Sequence, residues 1–166
     1  MKRLALTAST LLVAASMGFA QDKEKPTAEA PAEIPRSESP KGARCYIISP
    51  KDGATVGQEF TVKFGLKGMG VAPAGVDIPN TGHHHLLINT VEYNEAIPLP
   101  MDDKHRHFGG GQTETKITLP PGEHTLMLVL GDKLHIPHLP PVASKPIKIT
   151  VVEGEVKKGK KEKAEK

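Results

Sequence analysis

EFTVKFGL, residues 59–66, is the stretch on which the fold turns. Phe60, Val62, Phe64 and Leu66 alternate with Thr61, Lys63 and Gly65, a period of two that suits a strand with one face on a core. Apolar runs of similar length recur on both sides. CYIIS (45–49) stops at Pro50 and is followed by the turn residues KDG (51–53). HLLINTVEY (85–93), TKITL (115–119), HTLMLVL (124–130) and PIKITVV (146–152) read as further strands. Their spacers carry PAG, NTG, PPG and GD, all turn chemistry. TLPPG (118–122) turns a tight corner between two of them, and Ile147, Ile149 and Val151 share one face of a last strand that closes the sheet. Nothing here sustains a helical repeat. About seven short strands with frequent Gly and Pro imply an all-β domain, a small Greek-key β-sandwich of immunoglobulin-like or cupredoxin-like type.

The flanks bound that domain. Residues 1–20, MKRLALTASTLLVAASMGFA, have a basic start, a short apolar body and small residues before Gln21, the pattern of a signal peptide cleaved after Ala20. The run is short for a membrane span and no later stretch approaches one, so the expectation is a periplasmic protein without membrane insertion. Residues 21–42 are proline-rich and charged, a disordered spacer; 154–166 form a Lys/Glu-rich disordered tail; 43–153 make one β-sandwich domain. Losing Lys2 and Arg3 lowers the formal charge from +3 to +1. With four Phe, two Tyr and no Trp there is no basic, aromatic-studded surface of the kind that grips single-stranded nucleic acid, and no nucleic-acid partner is expected. Cys45 is the only cysteine, so no internal disulfide staples the fold, and its apolar strand argues for a buried small hydrophobe.

All eight histidines fall between His83 and His138. In NTGHHHLLINT (80–90), His83 and His85 point to one side of a strand and His84 to the other. If Leu86 and Ile88 face the core, His84 turns inward with them and His83 and His85 form an outward pair. DDKHRHFGGGQTE (102–114) repeats the i, i+2 spacing with His105 and His107, in what reads as a loop that its glycines let bend. GDKLHIPHLPP (131–141) carries His135 and His138 in a proline-stiffened loop, and His124 opens a strand.

Neutral imidazole suits zinc and copper, and a thiolate-poor, oxygen-poor set argues against iron–sulfur clusters or calcium. The candidate metal ligands are therefore His83, His85, His105, His107, His135 and His138, the ion copper or zinc. His84, His124, Asp102 and Asp132 are candidates for orienting rings or for structural roles. The competing reading makes the histidines hydrogen-bonding ties for irregular loops, in a structural or protein-interaction module of the cell envelope. No HExxH stretch is present, Cys45 and Ser49 lack nucleophile contexts, and Gly109–Gly111 precede no GK[ST]. No catalytic residues are assigned, and an enzyme is not expected.

NTGHHHLLINT, HFGGGQTE, LPPGEHTLMLVLGD and HIPHLPPVASKPIKITV, in that order, resemble the bacterial exported family catalogued as domain of unknown function 4399. The likeness runs from about Ile47 through FTVKFGLKGMGVAPAG to about Val152. It implies an envelope protein with a small β domain. It also implies His83, His84, His85, His107, His124, His135 and His138 as characteristic positions, without naming their chemistry.

Overall fold

The computed structural model describes residues 34–154. The expected signal peptide, most of the spacer and nearly all of the tail lie outside them. The described residues form nine strands: β1 (Arg44–Ser49), β2 (Ala54–Gly57), β3 (Glu59–Lys67), β4 (Gly70–Val71), β5 (Thr81–Ile88), β6 (His105–His107), β7 (Glu114–Thr118), β8 (Gly122–Gly131) and β9 (Ile147–Val152). Among the described residues no helix is long and apolar enough to cross a membrane.

Two sheets result. The smaller is antiparallel, in the order β1-β3-β7. The larger runs β2-β9-β8-β5-β4, with β6 also paired to β5. The domain is thus all-β and consistent with a sandwich, although its strand order does not single out an immunoglobulin-like or a cupredoxin-like arrangement. The alternation in EFTVKFGL is realised: Val62 and Phe64 are buried while Lys63 is exposed. From the facing sheet Leu86, Ile88, Leu126, Leu128, Leu130, Ile149 and Val151 complete the same core. At roughly 1.5–3 kcal/mol for each fully buried aliphatic side chain, this interleaving is the main force holding the sheets together.

β5 is enclosed on both sides. Leu86 and Ile88 face the central core, while Leu87 joins Leu99, Met127 and Val129 in a second cluster, with Tyr93 and Ala143 packed against it. Loops after β5 and β8 lie over that second face. Every residue from Gly82 to Ile88 is therefore buried.

Four features depart from the sequence reading. The apolar run HLLINTVEY ends as a strand at Ile88, because Asn89 takes a left-handed φ of 57°. HRH, expected in a loop, forms β6, paired antiparallel to β5 with His107 opposite His85 and His105 opposite Leu87. A three-residue strand flanked by polar residues and glycines has no periodicity of its own to display. Third, β9 is an interior strand, antiparallel to β8 and parallel to β2. Last, residues 36–39, assigned to the spacer, are paired: Leu139 N–H donates to Ser37 O at 2.9 Å and Ser39 N–H to Leu139 O at 3.0 Å.

Candidate metal centre

Three elements bring four rings together. β5 contributes His83 and His85, two residues apart and on the same face. β6 places His107 directly across from His85. The loop after β8 supplies His135, whose backbone is left-handed (φ 67°) and is bracketed by hydrogen bonds. One ligand atom from each of His83, His85, His107 and His135 lies within 4.8 Å of all the others. The ring centroids of these four are 4.6 to 5.9 Å apart. His83 Nε2 is 3.0 Å from both His85 Nε2 and His135 Nδ1.

Those separations suit a shared ion. Four nitrogens held tetrahedrally at about 2.0–2.1 Å from a zinc sit about 3.3 Å from one another. Hydrogen bonding accounts for less of the arrangement, because a neutral imidazole nitrogen either donates or accepts. Several buried nitrogens in the group also lack a protein partner: His83 Nδ1, His85 Nδ1 and His107 Nε2. Since the Nδ1 atoms of His83 and His85 have no acceptor behind them, packing rather than a rear hydrogen bond holds these two rings.

The electrostatics disfavour the protonated form of His83, His85 and His107. Burial, reinforced by the neighbouring His107 and His135 and opposed by Asp132, pulls His83 down to about 4. Burial, then His83, His107 and His135, pulls His85 down to about 2. His107 is lowered by burial and by His135. Neutral rings with exposed lone pairs are the metal-binding form of histidine.

Two glycines make the space. A Cβ on Gly131 would stand 2.8 Å from His85 Nε2, and one on Gly109 would overlap the His107 ring, 2.6 Å from its Nε2. These positions were missed in the sequence reading, where Gly131 served only as a turn. A glycine ending a strong strand pattern is nevertheless a signal of close approach.

Residues 62–152 match the family described as Domain of unknown function (DUF4399). The chain belongs to that family. None of the curated proteins compared with it matches. Among solved structures it is similar to an endo-beta-1,4-mannanase from Thermotoga petrophila, at 21% identity and a TM-score of 0.40, covering 70% of this chain and 21% of that one. It is also similar to fibronectin(III)-like modules of CbhA from Clostridium thermocellum, at 11% identity and a TM-score of 0.33, covering 67% of this chain and 46% of that one. The DUF4399 chain thus spans less than half the length of either, and neither likeness carries an argument about its fold or its function.

The other histidines of this DUF4399 domain are placed differently. His105 and His138, expected as ligands, are not in the group of four. The His105 Nδ1 lies 2.8 Å from Asp102 Oδ1, and Asp102 also accepts the backbone N–H groups of Lys104 and His105, so that this pair closes a turn. Its hydrogen bond to His105 lowers the Asp102 carboxyl. His138 is buried with Nε2 3.2 Å from Thr81 O and Nδ1 3.4 Å from Leu130 O. His124 donates from Nε2 to Pro120 O at 2.8 Å and accepts from Asn89 Nδ2 at 3.0 Å. His84 turns inward against Phe64, fully buried, with neither ring nitrogen hydrogen-bonded. Burial takes it down to about 4, and the nearby Gln112 backbone only partly offsets that.

Asp132 braces the loop that carries His135 rather than joining the four rings. Its Oδ1 accepts the N–H groups of Leu134 and Ile136 at 2.8 and 3.0 Å, on either side of His135. Cys45 is buried, donates to Val142 O at 3.4 Å, and is pushed up to about 12 by burial, which keeps it an unreactive thiol.

Proposed function

We propose that this domain is a periplasmic, non-catalytic protein that binds one transition-metal ion, copper or zinc, through His83, His85, His107 and His135. The observation that carries the reading is the convergence of four imidazole nitrogens, one from each residue, within 4.8 Å of one another. The all-nitrogen donor set supports copper or zinc over calcium or magnesium, which prefer oxygen. With three of the four histidines on two paired strands and the fourth on a braced loop, the fold itself sets the donor positions. Binding an ion then costs little ordering entropy.

The competing reading, an envelope module whose histidines tie loops, describes His124 best, since its Nε2 donates to Pro120 O and its Nδ1 accepts from Asn89 Nδ2. It leaves the clustered four without a role.

Calorimetric titration of the tag-free domain with copper and with zinc at pH 7.5 tests the proposal. One ion per chain with submicromolar affinity, lost in the His83→Ala, His85→Ala double variant, is expected. Weak or superstoichiometric binding, or binding indifferent to those substitutions, sinks it.

A further inference from the structure

His135 is the one clustered histidine that no strand holds. Its left-handed backbone is a conformation that non-glycine residues adopt only when their surroundings impose it. From inside the loop, His135 N–H donates to Asp132 O at 2.9 Å, and Asp132 Oδ1 accepts the N–H groups on both sides of it. The neighbouring loop adds Leu99 N–H, donating to His135 O at 2.9 Å.

A further set of contacts comes from far away in the chain. Ser37 Oγ donates to the remaining carboxylate oxygen, Asp132 Oδ2, at 2.8 Å. Arg36 donates from Nε to Pro137 O at 3.0 Å and from Nη2 to His138 O at 2.6 Å. Backbone bonds link Ser37 and Ser39 with Leu139, and Ser39 Oγ donates to Pro140 O at 2.8 Å. The Arg36 guanidinium is also 3.6 Å from the Glu95 carboxylate, on the loop that covers the second core face. Four consecutive residues thus occupy the outer side of the loop from Asp132 to Pro140, and their polar groups meet that loop's carboxylate and carbonyls.

We propose that Arg36–Ser39 is a strap that sets the affinity of the histidine centre, holding the Asp132 carboxylate and the 137–140 backbone so that His135 stays in place as fourth ligand. The inference rests on the metal-binding reading above. Arg36 and Ser37 are positioning residues, since neither touches the four rings. Polar partners that hydrogen-bond a metal ligand directly typically change affinity by about 10–100-fold when lost, and the strap, which reaches His135 only through Asp132 and the loop backbone, is expected to act at the lower end of that range. It also makes affinity responsive to whatever displaces the strap, such as a proteolytic cut or a partner that takes up residues 36–39.

The test uses the full chain, titrated with zinc against a chromophoric chelator, as wild type, Arg36→Ala with Ser37→Ala, His135→Ala, and all three substitutions together. The strap variant is expected to bind zinc about 10-fold more weakly. Removing the strap where His135 is already absent should change nothing further, and Ser37→Thr, which keeps the hydroxyl, should retain wild-type affinity. X-ray absorption on the zinc-loaded strap variant should count three imidazoles where the wild type counts four. Unchanged affinity, an equal further loss in the His135→Ala background, or four imidazoles retained in the strap variant would overturn the proposal while leaving the metal site standing. Failure of the wild-type chain to bind zinc or copper would remove the metal-binding reading and the strap with it.

Discussion

His83 and His138 are both buried in the same domain, yet they live in opposite chemical circumstances. Each ring nitrogen of His138 faces a backbone carbonyl, and those of His124 face a carbonyl and an amide. Around His83 the neighbours are other imidazoles, and its Nδ1 meets no polar partner at all. Burial alone does not separate a ligand from a tie. What separates them is what the nitrogens face: those of His124 and His138 meet carbonyl and amide groups held in place by the fold, whereas His83 Nε2 meets only the nitrogens of His85 and His135.

The sharpest way to break this distinction is to remove one ring from each set. His85→Ala should weaken copper or zinc binding by more than the roughly 10–100-fold typical of an indirect partner, while His138→Ala should leave affinity near wild type. Chelator competition reads both. Equal losses from the two substitutions would erase the difference between the sets.

Acid provides the next largest effect. His83 and His84 titrate near 4 in the folded chain against 6.5 as the reference value. Below 6.5 the unfolded chain therefore takes up protons that the native rings refuse, so metal-free stability falls as pH drops from 6.5 towards 4. Each such ring contributes on the order of 3 kcal/mol to that fall by pH 4. Denaturant midpoints at pH 7, 5.5 and 4.5 should decline accordingly, and a flat profile would mean that these rings are solvated.

Gly131→Ala probes the space between the rings. The added methyl group meets His85 Nε2 at 2.8 Å and the His135 backbone at 3.3 Å, so the fully buried His85 ring has to shift. A stability loss of about 1–3 kcal/mol, the usual effect of overpacking, should accompany weakened metal binding. A variant that binds normally would show that His85 has room to move.

On the other side of the comparison, His124→Ala should lower stability by about 1–2 kcal/mol through its two lost hydrogen bonds, with metal affinity untouched. The smallest expected effect is at Cys45. Its native thiol should resist alkylation at pH 8 and react only at the rate at which the domain opens, as thiol labelling in and out of denaturant would show.

Much of this was legible in the sequence. EFTVKFGL announces its strand because one face is solvated and the other buried, so polarity alternates with the pleat. The parity of His83 and His85 follows from the same geometry. Their burial does not, since loops of distant sequence cover a face that a simple sandwich would leave to water. β6 was hidden for a related reason: three polar residues become a strand only through the edge of β5. The selection of His107 and His135 over His105 and His138 depended on loop paths. The i, i+2 spacing put His105 and His107 on one face, but cross-strand register decided that His107 meets His85 whereas His105 meets Leu87. Arg36–Ser39 reads as spacer because its bonds run mostly to backbone carbonyls, which leave no trace in sequence.

The parallel pairing of β2 with β9 bears on how the molecule comes into being. Ala54 lies beside Ile149 and Gly57 beside Val152, so the larger sheet is complete only when the two ends of the domain meet. Closing so long a loop is entropically slow, and chains dominated by such distant contacts fold in milliseconds to seconds rather than microseconds. β8, the strand against which the histidine-bearing β5 is set, is itself flanked by β9. A chain emerging from its N-terminus therefore carries its three consecutive histidines without their strand partners until β6 and β8 have followed.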